Sequence, residues 1–197
     1  MKHSEWHKKL NSEDDMKVRS GQDIVMCGYI GLKGTVYAAR SCREVLLRTL
    51  PKDFVDGAEK FEDYLKTVPE AAVAIQHGAT AMHFVEDGGI FAALWRISED
   101  YKTGLTVHLK KIPVKQETIE MCEVFDVNPY QLLSGGCMLF MTDNGNSLVE
   151  FFESGKINAA VIGSITDSND RIILNGEGVR YINRPEPDEI YKFNGRG

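Results

Sequence analysis

The sequence contains no run of basic residues, no closely spaced pair of cysteines and no long apolar stretch. Each absence excludes a class of protein. A sequence-independent grip on nucleic acid depends on clustered Lys and Arg that neutralise successive phosphates. Here the balance runs the other way, with 23 Lys and Arg against 29 Asp and Glu for a net charge of −6, a surplus that serves solubility. Cys27, Cys42, Cys122 and Cys137 are far apart and show no C-x-x-C spacing, which predicts neither a zinc knuckle nor a disulfide framework but buried, reduced thiols. The N-terminal MKHSEWHKKLNSEDDMKVRSG lacks the apolar centre of a signal peptide, and no window reaches the apolar length of a membrane span. The expectation is a cytoplasmic protein with no nucleic-acid or membrane partner. Internal repeats and low-complexity segments are also lacking.

What is present suits one globular unit. In 197 residues, 43% apolar composition is enough for a good-sized core, so the prior is one domain, or one domain plus an arm. Residues 1–21 read as a polar arm, with a short helix near Trp6. His3 and His7 are four apart and share a helix face, but no third ligand lies near, so no metal site is assigned. Residues 22–197 read as the folded domain.

Within it, Asp23–Cys27 is a short apolar run bounded by glycine, as a buried strand is. GYIGLKGT follows, with Gly28, Gly31 and Gly34, and then a helix-compatible segment from Val36 to about Leu50. This spacing is neither the dinucleotide fingerprint nor a Walker loop. Pro51 opens another helical stretch, and Pro69 a second that Gly78 caps. A strand over Thr80–Val85 leads to Glu86-Asp87-Gly88-Gly89 and a helix over Gly89–Asp100. GLTVHLKKIPV alternates as a half-buried strand does. Glu117–Phe125 reads as a helix, Asn128-Pro129 as a turn, Gly136–Met141 as a buried strand, and Asn144–Ser154 as a helix entered from an Asp143-Asn144 cap. Strands at Ala159–Ile165, Arg171–Leu174 and Val179–Ile182 close the chain, the last two joined around Asn175-Gly176. The whole is a mixed α/β pattern.

The glycine pair at 88–89 poses the functional question. A tight strand-to-helix turn uses glycine for φ > 0 or for close packing. Free backbone N–H groups at a helix N-terminus also make an anion site that a side-chain-free turn lets a phosphate approach. Both explanations fit the spacing.

Taken in order, GYIGLKGT, GATAMHFVEDGGIFAALWRISED, GLTVHLKKIPVKQETIEMCEVFDVNPYQLLSGGCMLFM and AAVIGSIT resemble the C-terminal domain of the aminoimidazole ribonucleotide synthetase (AIR synthase) superfamily. The resemblance runs from about Asp23 to Lys192. It is nearest to the hydrogenase-maturation-like members, which share the I-P-V and N-P-Y patterns; selenophosphate synthetase and thiamine monophosphate kinase belong to the same superfamily. It implies a three-layer mixed sheet with covering helices, and a cleft in which glycine turns face phosphate-bearing ligands. The ligand-binding candidates it implies are Gly28, Gly31, Gly34, Thr35, His83, Gly88 and Gly89. No catalytic residue and no metal ligand is assigned.

The departures from the family pattern shape the functional expectation. Members carry the acidic residues that hold Mg²⁺ and ATP mostly in an N-terminal domain, where this sequence has only its polar arm. They place Asp directly after the histidine and Thr two residues later, whereas Phe84 and Glu86 stand there in this chain. The hydrogenase-maturation enzyme works on a cysteine in its C-terminal tail, but this chain ends YKFNGRG; nor does residues 1–20 supply the reactive Cys or Sec of selenophosphate synthetase. The resemblance therefore implies a binding or accessory module for a phosphorylated or nucleotide-like ligand. The alternative is a subunit of a split ATP-dependent synthetase or hydrogenase-maturation-type enzyme, with ATP and Mg²⁺ only if a separately encoded partner supplies the missing domain. Self-association as a homo-oligomer is also expected, and whether the chain is catalytic stays open.

Overall fold

The computed structural model describes residues 18–65 and 71–195. The arm up to residue 17, with the helix expected near Trp6 and the His3–His7 pair, lies outside the described residues, as does Pro69. The chain runs through β1 (Asp23–Cys27), α1 (Leu32–Ser41), α2 (Arg43–Leu46), α3 (Lys52–Glu59), α4 (Glu62–Leu65) and α5 (Ala71–Gln76). It continues with β2 (Ala79–Phe84), α6 (Gly89–Tyr101), β3 (Gly104–His108), α7 (Gln116–Phe125), β4 (Met138–Thr142) and α8 (Gly145–Ser154). Strands β5 (Ala159–Thr166), β6 (Arg171–Asn175) and β7 (Gly178–Tyr181) follow, and a 3₁₀ segment over Glu189–Gly195 ends the described chain.

The strands form one seven-stranded sheet in the order β2-β4-β1-β5-β3-β6-β7. Neighbours are antiparallel except β3 and β6, which are parallel. It follows that β1, β2, β3 and β6 all end at one edge of the sheet. The turns after Cys27, Phe84 and His108 and the tip of the β6–β7 hairpin therefore collect there.

Central strands β1 and β4 are apolar without alternation because both of their faces are covered, the pattern expected when helices pack on either side. Ile24, Met26, Leu139 and Met141 point to the face where α6 brings Ile90, Ala93, Leu94 and Ile97. Val25, Cys27, Met138 and Phe140 point to the opposite face, against Leu148 and Phe152 of α8 and Ala74 of α5. A third apolar cluster contains no strand residue: α1, α3 and α7 meet through Leu32, Val55, Met121 and Phe125, with Phe193 of the C-terminal segment among them. Full burial of a large apolar side chain such as Phe125, Phe140 or Phe152 contributes roughly 1.5–3 kcal/mol relative to exposure.

Local chemistry explains where several elements start and stop. Asn144 accepts a hydrogen bond from the Ser147 amide at 3.2 Å and Asp23 one from the Gly145 amide at 2.9 Å, so two of the orphan donors of α8 meet acceptors, one of them charged. The helix expected over residues 36–50 is instead two. Cys42, at φ −115° and ψ 23°, interrupts it after Ser41, and Arg43 turns to pair with Asp56 and Glu59 of α3. The strand expected to run through Val114 ends at His108, and a 3₁₀ turn takes Leu109–Lys111. Pro113, which cannot donate to a ladder, there accepts a bond from the Ile30 amide at 3.0 Å, and Val114 bridges Ile30.

Candidate functional site

Both glycine turns lie at the edge where β1, β2, β3 and β6 end, and the segment 128–136 links them. Ser134 is the hinge pin: its hydroxyl accepts from the Gly31 amide at 2.8 Å, and its own amide donates to the Glu86 carbonyl at 3.2 Å. Gly31 sits at φ 71° and Gly89 at φ 63°, in the left-handed region that favours glycine. Close approach adds to the demand, since a Cβ on Gly89 would lie 2.5 Å from the Tyr130 carbonyl oxygen.

The candidate residues are held as follows. The Gly28 amide donates to the Asn158 carbonyl and the Gly34 amide to the Leu133 carbonyl, at 2.8 and 2.9 Å. Thr35 is buried, its hydroxyl bonded to the Gly31 carbonyl and to the Thr118 hydroxyl, both at 2.8 Å. The Gly89 amide donates to the Glu86 carbonyl at 3.0 Å. His83 is half-buried on the outer strand β2 opposite Leu139, at the far side of the sheet from β6 and β7. Phe84, the residue following it, is half-buried too, and Glu86 is exposed.

Gly88, the N-cap residue of α6, has a partner that the sequence does not advertise. Its amide donates to Asp188 Oδ2 at 2.6 Å. The other oxygen, Oδ1, accepts from the amides of Leu133 at 2.9 Å and Ile190 at 2.8 Å. Asp188 is only 3% exposed. A carboxylate caged by three N–H groups beside a helix N-terminus is the arrangement that an anion site provides, and here the chain supplies the anion. Glu189 reinforces the contact by accepting from the Asn128 amide at 3.3 Å while pairing with Lys192 at 2.7 Å. Phe193 then packs edge-on against Phe125 and stacks on Tyr37.

Beside this turn lies a cavity of about 540 Å³, within the size range of small-molecule sites. Gly88, Phe91 and Ala92 contribute from the start of α6, Asn128, Tyr130 and Gln131 from the linking segment, and Ile173, Arg180, Ile182 and Arg184 from β6, β7 and the chain beyond. Phe91 and Tyr130 stack with centroids 5.4 Å apart and an interplanar angle of 10°. Burial raises the pKa of the Tyr130 hydroxyl above its ordinary value, which keeps it a neutral donor at physiological pH. Arg180 pairs with Ile173 across the β6–β7 ladder; cross-strand partners share a face, so Arg180 projects on the face that α6 covers. Among the described residues the side chains of Arg180 and Arg184 have neither a hydrogen bond nor an ion pair. Phe91, Tyr130, Arg180 and Arg184 line this cavity and are absent from the candidates that the sequence suggests. Only Tyr130, in the N-P-Y segment, carried a signal.

The first turn has its own cationic neighbour: the Lys115 ammonium lies 4.2 Å from the Tyr29 ring centroid and 4.7 Å from that of Tyr64, a cation–π geometry. Burial pushes the thiols of Cys27, Cys122 and Cys137 up to about 12, which leaves them protonated and inert. Among the described residues no group of three His, Cys, Asp or Glu side chains is placed to hold a metal ion, and no helix is long and apolar enough to cross a membrane.

Comparison with known proteins agrees with this architecture. A protein of Methanocaldococcus jannaschii named for hydrogenase expression and formation is 23% identical over 181 residues, which is 89% of this chain and 52% of the relative. The crystal structure of Escherichia coli HypE, a hydrogenase maturation protein, superposes with a TM-score of 0.69 at 15% identity, covering 91% of this chain and 54% of that one. A chain of a HypE–HypF complex gives 0.65 at 22% identity, covering 87% and 55%. Thiamine-monophosphate kinase from Stenotrophomonas maltophilia gives 0.61 at 16%, covering 82% and 52%. This chain thus spans about half the length of the relatives it matches. Residues 19–175 match the family described as AIR synthase related protein, C-terminal domain, and the chain belongs to that family.

Proposed function

We propose that this protein is a binding or accessory module for a small phosphorylated or nucleotide-like ligand, seated in the cleft beside the Gly88 turn. The observation that carries this reading is the cavity of about 540 Å³ that combines two arginines whose side chains lack partners among the described residues with a stacked aromatic pair. Arginine presents a planar fork of donors suited to phosphate oxygens, and aromatic rings offer a face to a base or another planar group. The resemblance of the glycine turns to those of phosphate-handling relatives supports the same ligand class. Of the glycine-turn candidates Gly88 lines the cavity, while Gly28, Gly31, Gly34 and Thr35 do not; Gly88 and Gly89 let α6 start against Tyr130.

A second reading is favoured by the HypE–HypF complex among the matched structures. In it this protein is one component of an assembly whose separate ATP-binding subunit supplies nucleotide and Mg²⁺. Self-association is the other way to cover the exposed Leu47, Val179 and Tyr181.

A thermal-unfolding screen over AMP, ribose 5-phosphate and inorganic phosphate tests the first reading. A ligand at 100 times its Kd stabilises the folded state by about 2.7 kcal/mol, a shift easily seen. No shift with any of these up to millimolar concentration overturns it. Co-purification of a stoichiometric ATP-binding protein, with nucleotide binding only in the complex, is the result expected of the second.

A further inference from the structure

The glycine amides of the two turns are already committed within the chain. Asp188 holds the Gly88 and Leu133 amides, the Glu86 carbonyl takes those of Gly89 and Ser134, and Ser134 Oγ takes that of Gly31. A phosphate taking the Gly88 amide would have to displace a buried carboxylate that three N–H groups hold and that Phe193 anchors from five residues away. Arg180 and Arg184, in contrast, line the same cavity and have no competing partner among the described residues. One acidic group, Glu186, also lines it and offsets only one of the two positive charges.

Resting on the ligand-cleft reading above, we propose that Arg180 and Arg184 are the residues that take the ligand's phosphate, with a planar ring of the ligand against Phe91 and Tyr130, and that Asp188 is the built-in anion of the Gly88 turn. The ligand class is accordingly a ring-bearing monophosphate rather than a bare phosphate. Both arginines fall after residue 175, where the family match ends, so this proposed specificity lies in β7 and the segment that follows it. The Gly88-Gly89 turn then has both uses that its sequence suggests, a steric corner and an anion site, with the anion supplied from within.

Isothermal titration of the full chain with AMP, phenyl phosphate and inorganic phosphate tests the assignment. Wild type is expected to bind AMP and phenyl phosphate more tightly than inorganic phosphate, with affinity falling as salt rises. The double variant Arg180→Gln/Arg184→Gln, at two exposed positions, is expected to lose at least tenfold in affinity at an unchanged unfolding midpoint. Arg180→Lys/Arg184→Lys, which keeps the charge but not the fork, should show an intermediate loss. Asp188→Asn is expected to bind within threefold of wild type. If the Gln double variant binds as wild type does, or Asp188→Asn gains tenfold because it frees the Gly88 amide, the assignment to the arginines is overturned while the cleft reading stands. If wild type binds none of the three compounds, both fall.

Discussion

Replacing Asp188 with asparagine changes one oxygen to an NH₂ group at nearly constant volume, and so isolates the charge and the acceptor. The wild-type carboxylate accepts three backbone hydrogen bonds: one at Oδ2 from Gly88 and two at Oδ1 from Leu133 and Ile190. An asparagine that keeps its oxygen at the Oδ1 position preserves the last two as neutral bonds. Its NH₂ then faces the Gly88 N–H, donor against donor, at a site only 3% exposed. A buried donor without a partner costs about 1–3 kcal/mol, and loss of charge assistance weakens the remaining bonds. The helix dipole of α6 also loses the negative charge at its N-terminus, worth about 0.3–1 kcal/mol. Together these predict a loss of about 2–4 kcal/mol in urea-induced unfolding. At this chain length that corresponds to a fall in Tm of roughly 5–15 °C. Glu177→Gln, at the exposed tip of the β6–β7 hairpin, is the control and should stay within about 0.5 kcal/mol. An Asp188→Asn variant as stable as that control would refute the view that the carboxylate fills the Gly88 turn.

Two further predictions follow from the side-chain environments. In the folded protein at pH 8, Cys42, which is only partly buried, should be the first thiol to react with an aromatic disulfide reagent. Cys27, Cys122 and Cys137, pushed up to about 12 by burial, should react only after unfolding in urea, and fast labelling of any of these three in the native state would contradict their packing. The hydrogen bond from Arg43 holds the Asp56 carboxyl below its ordinary value. Its stabilising contribution is therefore fully present above the unfolded carboxylate's pKa and is lost as pH falls through the lower, folded value. Carboxyl-detected NMR should show Asp56 titrating below the ordinary aspartate value, and Arg43→Ala should move it back up; an Asp56 titration unaffected by that substitution would show the pair to be unformed in solution.

Much of the fold was legible because the signals are local. Strands β1, β4 and β5 are short apolar runs between glycine or polar turns, and α6 and α8 carry helical periodicity from clear entry points, Gly88-Gly89 and Asp143-Asn144. Their boundaries were read to within one or two residues. The break at Cys42 and the early end of β3 were not legible, because tertiary partners decide them: Arg43 turns toward Asp56 and Glu59, and residues 112–114 leave the sheet to meet Ile30. The sheet order was likewise beyond periodicity, since hydrophobic spacing says that a strand has a buried face but not which neighbour shares its ladder.

By itself, the sequence determined the class of the fold, the two glycine turns and the family that they point to, because backbone geometry at those turns demands glycine whatever surrounds them. Only the tertiary structure decided what the turns hold. Asp188 lies 100 residues beyond Gly88 in a stretch without periodicity or motif, so no local rule marks it as the partner of that amide. Arg180 and Arg184 read in sequence as ordinary surface charges. They become a candidate phosphate grip because the β6–β7 ladder places Arg180 on the face that α6 covers and the chain after β7 carries Arg184 to the same cavity. Long-range pairing of strands makes that juxtaposition, and no property of either arginine's neighbours in the chain specifies it.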